Sequence, residues 1–297
     1  MTASDDRSAE RRGELNRPQD HASDGRSAER RGELNRPHAG GEVSVTRLIE
    51  ERDGAVLILT IDQPARRNAL AMPIRTAMIS ALEQAQANRD VRAVVITGSG
   101  GHFCSGGDIS GMDVDSALAG RERMRLSHQL IRLMVMGSLP VVAAVEGFCV
   151  GAGLSLACAS DTVVASEEAR FAAGFGKIGL MADLGLPHTL PMRVGQGRAR
   201  QILFYHGQMS APEAERIGIV DHVVPKGHAL ATALEKARFL AEQAPAPMAL
   251  TKQMLGEGLD RALEQERHFQ STLFLTEDFK EGRAAFLGKR TPAFKGT

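Results

Sequence analysis

Two short apolar runs, Val91-Arg92-Ala93-Val94-Val95-Ile96-Thr97 and Pro140-Val141-Val142-Ala143-Ala144-Val145, each lead within a few residues into a glycine-rich segment. Runs this short, rich in β-branched residues and bounded by glycine, read as buried strands. The segments that follow are His102-Phe103-Cys104-Ser105-Gly106-Gly107-Asp108-Ile109 and Gly147-Phe148-Cys149-Val150-Gly151-Ala152-Gly153-Leu154-Ser155-Leu156. Glycine lets a strand end turn sharply and leaves backbone amides without partners. Two such amides brought together can grip one oxygen. Donors fixed before reaction stabilise charge developing on a carbonyl, and losing one costs about 2.7–4 kcal/mol of transition-state stabilisation. The pattern predicts an α/β chain whose strand ends serve carbonyl chemistry.

Charge narrows the partners. Lys+Arg and Asp+Glu both number 36, so no overall bias points to nucleic acid or to an anionic membrane surface, and any anion site is local. The three cysteines, Cys104, Cys149 and Cys158, form no CxxC pair and have no histidine at metal-ligand spacing, which argues against a disulfide framework and a zinc site. The most apolar stretch is cut by Glu146 far short of a membrane span, and the first residues lack an apolar signal core. A cytoplasmic protein is expected.

Along the chain, residues 1–41 carry the near-perfect repeat Arg7-Ser8-Ala9-Glu10-Arg11-Arg12-Gly13-Glu14-Leu15-Asn16-Arg17-Pro18 and Arg26-Ser27-Ala28-Glu29-Arg30-Arg31-Gly32-Glu33-Leu34-Asn35-Arg36-Pro37, with little to bury. A disordered tail is expected there. From residue 42 strand and helix alternate. Residues 55–61 read as a strand, and Ile74, Met78, Leu82 and Ala85 form one apolar helical face. Helices are expected at 121–137, 151–159, 195–206 and 211–217, with further strands at 161–165 and 219–224. Beyond about residue 226 the period is helical throughout. The expected organisation is a tail over 1–41, a core over 42–225 and a helical oligomerisation region over 226–297.

Four segments together resemble the crotonase superfamily, which contains enoyl-CoA hydratases and isomerases. They are Gln63-Pro64-Ala65-Arg66-Arg67-Asn68-Ala69-Leu70, Phe103-Cys104-Ser105-Gly106-Gly107-Asp108-Ile109, Val145-Glu146-Gly147-Phe148-Cys149-Val150-Gly151-Ala152-Gly153, and Glu277-Asp278-Phe279-Lys280-Glu281-Gly282 through Phe294-Lys295-Gly296. The resemblance implies a spiral of ββα turns with a helical C-terminal region that packs across subunits. It further implies homotrimers or hexamers and an acyl-CoA thioester as ligand. Carried over residue by residue, the amides of Gly107 and Ala152 would hold the thioester oxygen. Arg66 and Arg67 fall where family members contact CoA phosphates and adenosine, with a solvated loop as the plain alternative. Phe286 and Lys289 fall where the CoA of a neighbouring subunit can be reached. Ala69, Gly106, Asp108, Ile109, Ser155 and Phe175 are the remaining substrate contacts implied.

The chain departs from the family's hydratases at two positions. Those enzymes use two glutamates, which here are replaced by Ser155 and Phe175. Serine is a poor base unaided and phenylalanine transfers no protons. Asp183, within Lys177-Ile178-Gly179-Leu180-Met181-Ala182-Asp183-Leu184-Gly185-Leu186-Pro187, resembles the aspartate of superfamily isomerases, including the ring-opening isomerase of phenylacetate degradation. Apolar neighbours around it would raise its basicity. The plain alternative makes Asp183 the N-cap of a helix over 184–193, against which Gly185 and Pro187 make a poor first turn. His188 is a second candidate proton carrier, though a structural histidine is favoured, and packing or loop shaping is favoured for His102 and Cys104.

One movable proton suffices to shift a double bond, whereas hydration needs more groups. The expected activity is enoyl-CoA isomerisation with Asp183 as acid and base. No metal or redox cofactor is expected, coenzyme A being part of the substrate. The alternatives are a hydratase with relocated acids and a degenerate acyl-CoA-binding subunit. A dehalogenase using Asp183 as nucleophile is disfavoured, since that relative relies on tryptophan where Phe175 stands and the chain has none.

Overall fold

The turn at Gly54, with φ +57, reverses the chain between β1 (Arg47–Asp53) and β2 (Val56–Asp62), an antiparallel pair in which Asp53 faces Val56. The computed structural model describes residues 46–297; the repeat of the first 41 residues lies outside them. After β2 come α1 (Met72–Ala87), β3 (Ala93–Gly98), α2 (Ala117–Val135), β4 (Val141–Val145), β5 (Phe148–Val150), α3 (Ala152–Cys158), β6 (Thr162–Ser166) and β7 (Arg170–Ala172). The chain then forms α4 (Leu186–Tyr205), β8 (Met209–Ser210), α5 (Ala211–Arg216) and β9 (His222–Val224). It ends in α6 (Ala229–Glu242), α7 (Pro245–Leu255), α8 (Leu259–Leu273) and α9 (Glu277–Leu287). Strand and helix units recur and strands pass to a second sheet, an α/β arrangement of the kind expected from the sequence.

The six-stranded sheet runs β1-β2-β3-β4-β6-β9, parallel from β2 onward. Parallel strands are covered on both faces, which is why β3 and β4 are continuous apolar runs. On one face Leu57, Leu59, Val94, Ile96 and Val141 meet Ile74, Met78 and Leu82 of α1. On the other, Val56, Val95, Val142 and Val164 meet Ala229, Ala233 and Ala237, a four-residue spacing that gives α6 a smooth stripe against the strands. Residues 226–297 therefore do not stand apart from the core: α6 covers the sheet, α8 packs on α2, and the described residues fall in one compact unit.

The smaller sheet, β5-β7-β8, carries the site. Its strands, two or three residues long, are too short to show a period in the sequence. α4 holds the helix expected at 195–206 as its second half, preceded by a further helical stretch from Leu186. Pro187 occupies its first turn, where a missing N–H has no helical acceptor to lose, and Gly195 at φ 74, ψ 157 breaks it in the middle. Gly185, not Asp183, is its N-cap residue, and no side chain caps it.

Candidate active site

The two glycine segments meet through backbone hydrogen bonds. Cys104 N–H donates to Phe148 O at 2.9 Å, and Val150 N–H returns to Cys104 O at 2.9 Å. Leu70 N–H donates to Gly106 O at 2.7 Å, tying the segment after the 63–70 motif to the same place. Gly151 turns the chain from β5 into α3 at φ +54, which a side chain would oppose. A Cβ added at Gly153 would stand 2.4 Å from Cys104 O, so glycine is what lets α3 approach this closely. Gly106–Gly107 and Gly151–Ala152 thus lie side by side; a Cβ on Gly151 would be 3.6 Å from Gly106 Cα. Among the described residues no backbone carbonyl accepts the amide hydrogen of Gly107 or of Ala152, the first residue of α3. Such a pair can take one anionic or carbonyl oxygen.

Both residues line a cavity of about 500 Å³. Of the expected site residues, Arg66, Ala69, Gly106, Gly107, Asp108, Ile109, Ala152, Phe175, Asp183 and Phe286 line it. Arg67, Ser155 and Lys289 do not. Arg67 lies over the Phe148 ring, 5.0 Å from its centroid. Ser155 is fully buried, and its hydroxyl donates to Asp183 O at 2.9 Å, which ties α3 to the 180–186 loop. Phe286 lines the cavity of its own chain, where the resemblance implied contact with a neighbour's ligand. At the mouth, Arg66 Nη1 donates to both Asp108 carboxylate oxygens at 3.1 Å and to Ser110 Oγ at 2.7 Å.

Two carboxyls therefore line the wall, and they differ. Asp108 is engaged by Arg66 and by the Ser110 N–H and hydroxyl. Asp183 is only 6% exposed, and its side chain accepts a single hydrogen bond among the described residues, from Gln270 Nε2 at 3.3 Å. Burial pushes its pKa up to about 6, while Arg75 and Gln270 pull it back. Leu184, the next residue, is held at φ +56, a conformation that a branched side chain adopts only when its surroundings impose it. The loop is fixed by Ser155 below it and by Glu266 Oε2, which accepts Gly185 N–H at 2.9 Å.

Behind Asp183 lies a polar cluster that sequence reasoning missed. Glu266 Oε1 and His128 Nε2 share a hydrogen bond of 2.8 Å, both side chains being almost fully buried. Burial raises Glu266 to about 8 and lowers His128 to about 4, so at neutral pH the pair is uncharged and Asp183 is the carboxyl that ionises. Arg75 is 2% exposed on the inner face of α1; its Nη1 donates to Ser127 Oγ and its Nε to Leu70 O at 3.4 Å. A signal was present: on α8 the buried series Leu259, Leu263, Glu266, Gln270 continues an apolar face into polar residues. The other candidates serve the frame. His102 Nδ1 accepts Phe148 N–H at 3.3 Å, and burial pushes the Cys104 thiol up to about 11, far from a thiolate. No group of metal-ligating side chains is found among the described residues, nor is any helix there long and apolar enough to cross a membrane.

A cavity with an amide pair and one buried, basic carboxyl is equipped to hold a carbonyl and move a proton beside it. Comparison with known proteins agrees with this chemistry. The family described as enoyl-CoA hydratase/isomerase matches residues 51–297. The chain is 32% identical over 257 residues to the 1,2-epoxyphenylacetyl-CoA isomerase of Escherichia coli, covering 84% of this chain and 98% of that one. It is 35% identical over 256 residues to the 2,3-dehydroadipyl-CoA hydratase of the same organism, covering 85% and 100%. The crystal structure of an enoyl-CoA hydratase from Mycobacterium avium subsp. paratuberculosis superposes with a TM-score of 0.76 at 34% identity, covering 84% and 98%. The chain belongs to the enoyl-CoA hydratase/isomerase family of the crotonase superfamily.

Proposed function

We infer that this member of the family is an enoyl-CoA isomerase using one acid–base group. The reading is carried by the contrast at the wall: Asp183 is buried, basic and nearly free of partners, while Ser155 and Phe175 stand where family hydratases place glutamates. The Gly107 and Ala152 amides hold the thioester oxygen. The Asp183 carboxylate removes a proton from one carbon of a 3-enoyl or cyclic unsaturated acyl group, and the electron pair moves into an enolate whose oxygen the amides stabilise. The same proton returns to a carbon further along, and the double bond has moved. A pKa of about 6 suits both halves, since the carboxylate predominates at neutral pH while its conjugate acid still gives up a proton readily. No metal or redox group has a step in this scheme, and the family's trimer or hexamer is the assembly proposed for it.

Similarity to the 2,3-dehydroadipyl-CoA hydratase favours a second reading, hydration. Incubation with matched 2-enoyl-, 3-enoyl- and cyclic enoyl-CoA, followed by product identification, separates the two. Isomerisation predicts double-bond shift without gain of water; a hydroxyacyl product from the 2-enoyl thioester would overturn it.

A further inference from the structure

The proton shuttle leaves Arg75 without a task. Its guanidinium lines the cavity, yet only Nε and Nη1 have acceptors; Nη2 has none among the described residues, and no carboxylate there pairs with it within hydrogen-bond distance. Nη2 lies beside the oxyanion loop, 3.5 Å from where a Cβ of Gly107 would stand. Around it the wall is apolar, including Met112, Ala152, Phe175 and Leu180.

Such a group discriminates between acyl chains. Water can satisfy Nη2 while the cavity is open, but an alkyl chain that displaces this water leaves a charged donor unpaired. A site built around a polar contact rejects ligands lacking it far more strongly than an apolar pocket rejects a missing methylene. Nη2 carries two N–H groups of a permanently charged cation, and a carboxylate satisfies it better than any other acyl substituent. Neither Arg75 nor the nearby Arg123 has a carboxylate within hydrogen-bond distance among the described residues; Arg123 donates to Gly111 O at 3.3 Å.

We propose that Arg75 is a specificity-determining residue that selects acyl-CoA substrates bearing a carboxylate a few carbons beyond the thioester and disfavours plain alkyl chains. This rests on the acyl-CoA reading of the cavity, though not on isomerisation. The test is calorimetric titration with saturated thioesters that cannot react: succinyl-, glutaryl- and adipoyl-CoA against butyryl-, pentanoyl- and hexanoyl-CoA. The unmodified protein is expected to bind the carboxylated partner at least about tenfold tighter at one or more lengths. Arg75→Met should abolish that ratio, and Arg75→Lys should leave it reduced. Equal affinities in all three pairs would overturn the proposal, as would a ratio that survives in Arg75→Met. If Arg75→Met does not fold, the unmodified protein and Arg75→Lys decide the matter. A purely structural arginine would lower the melting temperature of the lysine variant without changing the ratio, and that result also counts against the proposal. Failure to bind any of the six thioesters would remove the acyl-CoA reading as well, whereas binding without preference removes only the role of Arg75.

Discussion

One side of the cavity is built from main chain and the other from side chains, and they are assembled differently. The amide side comes from two contiguous segments, 102–109 and 147–156, joined directly by strand-like hydrogen bonds. The acid–base side gathers Arg75 from α1, His128 from α2, Asp183 from a loop, and Glu266 and Gln270 from α8. Backbone donors need only small residues and a tight turn. A basic carboxyl needs burial, and burial requires elements from distant parts of the chain. The first side is thus specified locally, while the second exists only once α8 has docked.

The largest effect is expected at Asp183. Asp183→Asn keeps the size and the Gln270 contact but accepts no proton at neutral pH, so isomerisation should fall by about a hundredfold to ten-thousandfold while acyl-CoA affinity is retained. In the unmodified enzyme, kcat/KM should rise with pH through about 6 as the carboxylate forms. Wild-type turnover in the asparagine variant would remove Asp183 from the mechanism. On the amide side, Ala152→Pro deletes one N–H at a helix position that tolerates proline, and should cost about a hundredfold to a thousandfold in kcat. A loss of only a few-fold, with the fold intact by circular dichroism, would show that the second amide is dispensable.

Glu266→Gln tests whether the side-chain half is tuned from behind. The native state holds the Glu266 proton up to about pH 8, whereas the unfolded chain releases it near its ordinary value. The stabilisation from that bound proton is therefore complete at low pH and is lost as pH rises through about 8. Glutamine removes this dependence, so urea denaturation at mildly acidic and mildly alkaline pH should give a flatter stability profile than the unmodified protein. Glutamine, like the protonated Glu266, carries no charge near pH 6, so the acidic limb of kcat/KM should stay where it is. An unchanged stability profile would mean that Glu266 does not hold this proton in the folded protein. The smallest effect belongs to Asp108→Asn. Its ion pair with Arg66 sits at the mouth with the arginine half exposed, and such pairs contribute about 1 kcal/mol or less. Activity should stay within about fivefold; a larger drop would make Asp108 part of the chemistry.

Hydrophobic period and glycine placement made β2, β3, β4, α1 and α3 readable, and the same features located Gly107 and Ala152. Asp183 was readable as a lone acid in an uncharged stretch. Its surroundings were harder: Glu266 and His128 sit on α8 and α2, whose exposed faces carry several charges, and apart from the apolar spacing that leads to Glu266 on α8, little local separates a polar residue turned inward from one turned to solvent. The expected poor helix start at 185–187 failed because proline suits a first turn, where its missing N–H loses no bond. The expected boundary near residue 225 reflected a change of period, while α6 and α8 are needed to cover the sheet and to close over the acid.

Residue order alone was enough for the features whose physics is local. Alternation buries a strand, a glycine permits a turn, and a missing glutamate removes a proton carrier wherever the chain goes. Tertiary structure decided what depends on surroundings. The basicity of Asp183 follows from the loss of water around it, the neutrality of the Glu266–His128 pair from its depth, and the open donor of Arg75 from the lack, among the described residues, of an acceptor within hydrogen-bond distance of Nη2. Solvation and pairing are properties of a place in the fold, and residues up to nearly two hundred positions apart in sequence must meet before that place exists.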